Sequence, residues 1–296
     1  MTKVRTAMTE ALGRSPGEHV IDLPGEAAIL PLADGENFPV AMFLLGSKAR
    51  AHLIAIYGFA RLADQIGDEY AGDRLALLDW LEHDLERAFS GQPEHPLVQR
   101  LAPTVRALDL PRKPFLRLIE ANRSDQKKKR YESFADLLAY CELSANPVGE
   151  LVLCVFRQAT ADRIELSDRI CTALQLIEHW QDVAQDFGRG RVYIPAEDLE
   201  RFGVERGELG AARGSDALRR LLSFELERAR ALLDEGAPLV GRLHGRARLA
   251  VAGYVGGGRA AAEAIVAARF DLLAGPPAVS GRRRVRQILR TYGAGR

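Results

Sequence analysis

Cysteine is scarce in this chain, and its spacing excludes two classes of protein at once. Only Cys141, Cys154 and Cys171 occur in 296 residues, and none stands in a C-x-x-C pattern. Neither a disulfide framework nor a zinc site is indicated, so all three are expected to be reduced core thiols of a cytoplasmic protein. A bulk charge bias is missing as well. With 41 basic and 40 acidic side chains, a general nucleic-acid binder is disfavoured. The first residues lack the basic start and apolar block of a signal peptide, and no apolar run reaches the roughly 18 residues of a spanning helix. Membrane contact is therefore expected to be peripheral. Alternating β-branched segments, the mark of strands, are nearly absent.

What is present is helical periodicity. Hydrophobic residues make up 47% of the chain, enough for a sizeable core. Residues 1 to about 35, with Pro16, Pro24 and Pro31 among several glycines, read as a loosely ordered lead-in. A single all-α domain is expected over residues 36–296. Its first helix starts with Ser47 as N-cap and runs to about residue 69. Further helices are expected at about 73–89, 95–108, 112–124, 133–145, 147–160, 165–187, 215–236, 239–273 and 280–291. "SGQPEHP", "LPRKP", "ANPVG", "FGRGRVYIP" and "AGPP" separate them.

Two stretches break the apolar pattern. "DQIGDEY", residues 64–70, places Asp64 and Asp68 on one stripe of a helix advancing about 100° per residue. Arg61, Tyr57 and Arg50 fall within roughly 60° of that stripe, and Glu69 lies on its shoulder. "EHWQDVAQD", residues 178–186, repeats the plan with Glu178, Asp182 and Asp186, opposite Leu176, Trp180, Val183 and Phe187. Like charges four residues apart weaken a helix by about a few tenths of a kcal/mol, a penalty that bound divalent cations would remove. Oxygen-only donors without His or Cys suit Mg²⁺. Two such stripes facing one cavity would hold a diphosphate through bridging metals and draw it off as a leaving group. A single D-x-x-x-D is commonly a solvated face, so spacing alone leaves both readings open.

The residues around these stripes resemble the squalene/phytoene synthase family of head-to-head isoprenoid synthases. "YGFARLADQIGDE" is similar to that family's first aspartate-rich motif, with Arg61, Asp64 and Asp68 at matching positions. "ALQLIEHWQDVAQDFGRGRVYIP", residues 173–195, is similar to the second motif and the loop after it, matching Asp182 and Asp186. "RYESFADLLAYCELSANPVGELVL", residues 130–153, resembles the segment that carries the active-site tyrosine, which falls on Tyr140. The resemblance implies an isoprenoid synthase helical bundle around a central active-site cavity. It also implies Mg²⁺ as cofactor, in two or three ions, on Asp64, Asp68, Asp182 and Asp186, with Glu178 and Glu69 as further candidate ligands. Asp125 and Arg130 match family positions near the diphosphate.

"ENFPVAMFLL", "SANPVG" and "HWQDVAQD" look most like the hydroxysqualene synthase branch of bacterial squalene and hopanoid pathways. That branch ionises presqualene diphosphate, rearranges the cation and quenches it with water, without NADPH. Presqualene diphosphate, squalene or phytoene synthesis from farnesyl or geranylgeranyl diphosphate is the alternative within the family. A noncatalytic helical partner of the same pathway is the alternative outside it. The family often has Asn at the position of Glu178 and Arg at that of Gln181, and this chain departs at both.

Roles follow from the chemistry that the resemblance implies. Arg50, Arg61, Arg189 and Arg191 would stabilise departing diphosphate, with Gln181 and Arg130 as further substrate contacts. Phe38, Tyr57, Phe59, Tyr140 and Phe156 are candidates for facing a carbocation, although helically spaced aromatics are more often core. Asn37 and Asn146 could position water, or serve as turn residues. "RSDQKKKRYES", residues 123–133, reads as a solvated helix end. "VGGGRAAAEA", residues 255–264, lacks a preceding strand and reads as a close helix crossing or a kink. The basic "SGRRRVRQILRTY" reads as a solvated terminal helix, with anionic lipid at the inner face of the membrane as its alternative partner.

Overall fold

The computed structural model describes residues 23–31 and 45–295. A first group of helices comprises α1 (Glu26–Ile29), α2 (Ser47–Asp68), α3 (Arg74–Ser90), α4 (Pro96–Leu108) and α5 (Arg112–Lys127). Helix α2 buries Leu53, Ile56, Phe59, Leu62, Ala63 and Ile66, the three-and-four spacing of an amphipathic helix, against α4 and α5. Asp73 caps α3 by accepting the Ala76 N–H at 3.0 Å. The fully buried Asp84 accepts the backbone N–H groups of Glu94 and His95, which fixes the turn into α4.

The second group comprises α6 (Phe134–Ser144), α7 (Asn146–Val155), α8 (Ala161–Gln181), α9 (Val183–Gly188) and α10 (Ala196–Phe202). A 3₁₀ turn at Arg206–Gly210 follows, then α11 (Asp216–Gly236), α12 (Leu239–Arg242), α13 (Gly245–Ala267) and α14 (Gly281–Ala294). Two hydrophobic clusters result, one centred on α2–α5 and the other on α8, α11 and α13. Phe156 packs against both, so the clusters meet at the end of α7. Among the described residues no strand forms. The single bridge, between Arg130 and Val192, ties the loop after α9 to the segment after α5.

Several expectations about the helices need correction. Ser47 is the first helical residue rather than the cap, a place taken by Gly46 at φ 79°, which favours glycine. The run expected over 165–187 breaks at Asp182 (φ −99°, ψ 13°), although Asp182 and Asp186 each keep an N–H bond to the carbonyl four residues back. The run over 239–273 breaks at Leu243 and His244, which are extended. There the His244 N–H donates to the Gln158 side chain at 3.1 Å, so a tertiary partner replaces the helical one. Phe134–Val155 has the length and composition of a spanning helix, contrary to the sequence reading, but it is interrupted at Ala145 into α6 and α7. The glycines of α13 do mark a close crossing rather than a kink. A Cβ at Gly256 would lie 2.7 Å from Ile288 Cα, and α13 continues unbroken past it.

Candidate active site

The two acidic motifs end in the same place. Asp64 and Asp68 lie in the last turns of α2, and Asp182 and Asp186 flank the break between α8 and α9. Arg191, on the loop after α9, joins them. Its Nη2 donates to Asp68 Oδ1 at 2.5 Å, and its backbone N–H donates to the Asp186 carbonyl at 2.9 Å. The Arg191 side chain is only 12% exposed. Burial and, next, the neighbouring Asp182 push the Asp186 carboxyl up to about 6, with Asp68 adding to the push and Arg189 and Arg191 opposing it. The Asp182 carboxyl is raised for the first of those reasons.

Beneath this mouth α5 contributes two polar groups. Asn122 Nδ2 donates to Asp64 Oδ1 at 3.2 Å. Tyr140 Oη donates to Asp125 Oδ2 at 2.7 Å, and Asp125 is buried. Burial raises the Asp125 carboxyl to about 6 even though the Tyr140 hydroxyl and Arg191 both favour its charge. The charge run 123–133 is therefore not simply solvated: its Asp125 points inward, while Arg123 pairs with Asp79 and Glu82 outside.

An aromatic wall backs the pair. Tyr131, Tyr140 and Tyr193 have ring centroids 5.4 to 5.7 Å apart, and His179 stacks on Tyr193 at 3.6 Å with 11° between planes. Burial holds His179 down to about 3, so its ring is neutral and packs like an aromatic. A narrow crevice, too tight to admit a water molecule, adjoins the wall, lined by His179, Asp186, Arg191, Tyr193 and Leu209 among others. Sequence reasoning missed His179, Tyr131, Tyr193 and Asn122. The first sits inside the second acidic motif and the third inside "GRVYIP", so each stood within a quoted motif without an assigned role.

The other expected residues divide. Arg61 and Tyr57 are half-buried on α2, and Arg61 Nε is buried without a hydrogen-bond partner. Arg50, Glu69, Arg130, Glu178 and Arg189 are exposed, and Gln181 is buried at the end of α8. Phe59 is fully buried edge-on to Phe115, 5.3 Å between centroids, and is core rather than a cation-facing aromatic. Asn146 is also internal, accepting from Thr172 Oγ1 at 2.9 Å. Asn37 and Phe38 lie outside the described residues.

The donors that could meet Mg²⁺ here are carboxylate oxygens. Among the described residues no group of three or more His, Cys, Asp or Glu converges on one metal position. Paired carboxylates that leave room for water and phosphate oxygens are what Mg²⁺ accepts, and zinc-like cages are not. Asp68 and Asp186, which meet at Arg191, fit such a role; burial is the main cause of the raised Asp186 carboxyl, and the Asp182 and Asp68 charges that add to it are crowding that a dication would relieve.

Comparison with known proteins agrees with this geometry. The family profile for squalene/phytoene synthase matches residues 33–287. Hydroxysqualene synthase of Zymomonas mobilis is 35% identical over 213 residues, 71% of either chain. The 15-cis-phytoene synthase of Synechocystis is 32% identical over 66% of this chain and 62% of its own. The crystal structure of squalene synthase HpnC from Alicyclobacillus acidocaldarius superposes with a TM-score of 0.75 at 39% identity, covering 86% of this chain and 94% of that one. A dehydrosqualene synthase at 24% identity shares the fold with a TM-score of 0.82. A match over most of the chain, with both acidic motifs and the tyrosine between them in one place, makes this protein a member of the squalene/phytoene synthase family.

Proposed function

We propose that the protein converts presqualene diphosphate and water to hydroxysqualene and diphosphate. The observation that carries this reading is the junction at Arg191, where the first acidic motif, the second acidic motif and the Asp125–Tyr140 pair converge. The similarity to hydroxysqualene synthases at 35% identity favours this reaction within the family.

In the proposed reaction the bond between the cyclopropylcarbinyl carbon and oxygen breaks, and its electron pair leaves with diphosphate. Mg²⁺ on Asp64, Asp68, Asp182 and Asp186 would neutralise charge on that leaving group. The chain's own part is to orient it. Arg191 supplies a fixed guanidinium fork at the mouth, and the unpartnered Arg61 Nε supplies a buried donor one turn before Asp64. The Tyr131, Tyr140, Tyr193 and His179 rings offer π-faces, and no charged nucleophile, toward a cation. The Tyr140 hydroxyl, hydrogen-bonded to Asp125, would orient the water whose oxygen bonds to the rearranged cation. That water gives up one proton, which ends on the released diphosphate, so atoms and charge balance.

Purified protein incubated with presqualene diphosphate and Mg²⁺, without NADPH, should release diphosphate and hydroxysqualene. Turnover of farnesyl diphosphate that stops at presqualene diphosphate would overturn the reaction assigned and leave the family intact.

A further inference from the structure

Helix α14 turns two polar side chains inward beside Ile288 and Tyr292, and two apolar ones outward. Gln287 and Thr291 are buried at 7% and 3% exposure, whereas Val285 and Leu289 stand 47% and 67% exposed. The buried side is fastened by polar contacts to α13. Gln287 Nε2 donates to Glu263, Arg259 Nη1 donates to Thr291 Oγ1 at 3.0 Å, and Arg248 Nη2 donates to the Tyr292 carbonyl at 2.8 Å. Gly256 lets the two backbones approach at Ile288. A helix that served only to cover the core would turn the opposite way, because burying Val285 and Leu289 is favourable and burying an amide is not.

The outward face is also strongly basic. At about 100° per residue, Arg282, Val285, Arg286, Leu289 and Arg290 fall within roughly 140° of one another and line one shallow surface groove. The helix holds five arginines and no acidic residue, in a chain whose net charge is only +1. Glu263 pairs with Arg283 and Arg286. Arg282, Arg284 and Arg290 have no carboxylate partner among the described residues. An apolar ridge flanked by arginines matches a surface that is apolar below and anionic above, since each guanidinium can stay at the phosphates while its stem lies along the acyl boundary. A second copy of the same face would set arginine against arginine across a two-fold axis.

We propose that α14 docks the protein on an anionic lipid surface, with Val285 and Leu289 inserted at the headgroup boundary and Arg282 and Arg290 on lipid phosphates. One short helix with two apolar anchors gives reversible, salt-sensitive attachment rather than permanent anchoring.

The full-length chain should sediment with vesicles of phosphatidylcholine containing phosphatidylglycerol, stay in solution with phosphatidylcholine alone, and release from the former as salt is raised. Val285→Ser with Leu289→Ser, and separately Arg282→Gln with Arg290→Gln, should each weaken vesicle binding about tenfold or more while leaving the melting temperature and diphosphate release from detergent-dispersed substrate unchanged. Equal sedimentation of the variants and the parent protein would overturn the proposal, as would no binding to phosphatidylglycerol vesicles. A parent protein that is dimeric by light scattering and made monomeric by the Val285/Leu289 pair would overturn it in favour of self-association. None of these readouts depends on which prenyl diphosphate the enzyme uses.

Discussion

Arg191 is shared between the two acidic motifs: its guanidinium holds Asp68 at 2.5 Å while its backbone N–H holds the Asp186 carbonyl at 2.9 Å. The loop after α9 is thereby fastened to the end of α2, and Asp68 and Asp186 are brought beside one guanidinium-bearing residue. Burial would penalise the guanidinium, but its contacts with Asp68, Tyr193 and Asp125 more than offset this and raise its pKa, so it stays charged. In the proposed reaction it would be a permanent cation facing the departing diphosphate.

Replacing that cation should therefore cost catalysis more than folding. Arg191→Gln is expected to lower kcat/KM for diphosphate release about a hundredfold or more, the usual scale for a positioned group that meets developing negative charge. Arg191→Lys keeps the charge but loses the planar fork, and should fall between the two. Steady-state kinetics on presqualene diphosphate check this, and a glutamine variant with parental kcat/KM would remove Arg191 from the site.

The Tyr140–Asp125 contact makes a sharper claim, because Asp125 is only 5% exposed. Tyr140→Phe strips a donor from a buried carboxyl, and an unmade hydrogen bond of that kind costs about 1–3 kcal/mol. Asp125→Asn removes the acceptor charge. In a double-mutant cycle on thermal stability the two should couple by about 1 kcal/mol or more. Additive effects would show that the 2.7 Å contact carries no weight.

The sequence made the helices and both carboxylate stripes legible because they rest on local periodicity, and Asp68 of the first stripe does meet Asp186 of the second, through Arg191. What it hid depended on distant partners. Asp125 sits in a lysine-rich run that looks solvated, and only the fold sets Tyr140 against it. His179 and Tyr193 are fourteen positions apart in the chain, and their 3.6 Å stacking has no local signature. Phe59 went the other way: its place in a motif suggested chemistry, and the packing of Phe115 shows core. The same holds for the break at His244, where a hydrophobic pattern continues through the chain while the tertiary bond to Gln158 decides the backbone.

Glu225 predicts a pH dependence far from the reaction. It is fully buried on α11, and burial together with Asp198 raises its carboxyl to about 8, while Arg228 is engaged by Asp198 at 2.5 Å. The unfolded chain would ionise this group near 4.5, its ordinary value, so the folded state holds the extra proton between about 4.5 and 8. Stability contributed by Glu225 is complete below that window and is lost as pH rises through it, on the order of a few kcal/mol. Glu225→Gln cannot titrate and should flatten the fall in melting temperature across that range. An unchanged slope would assign the pH dependence to other groups.

Gly256 predicts how firmly α14 is seated. Alanine is the better helix former by about 1 kcal/mol, so on propensity alone Gly256→Ala should stabilise α13. Geometry opposes it: the new Cβ would meet Ile288 Cα and N, both at 2.7 Å, and these are backbone atoms that cannot rotate aside. Overpacking of this kind costs about 1–3 kcal/mol, so the clash should win and push α14 away from α13. Trypsin should then cut faster at Arg282–Arg284 and the melting temperature should fall. Gly281→Ala serves as the control, because nothing lies within 4 Å of a Cβ there and only the propensity gain remains. If Gly256→Ala matches Gly281→Ala in stability and protease resistance, the two helices are not in the close contact that holds Gln287 and Thr291 inward and turns Val285 and Leu289 out.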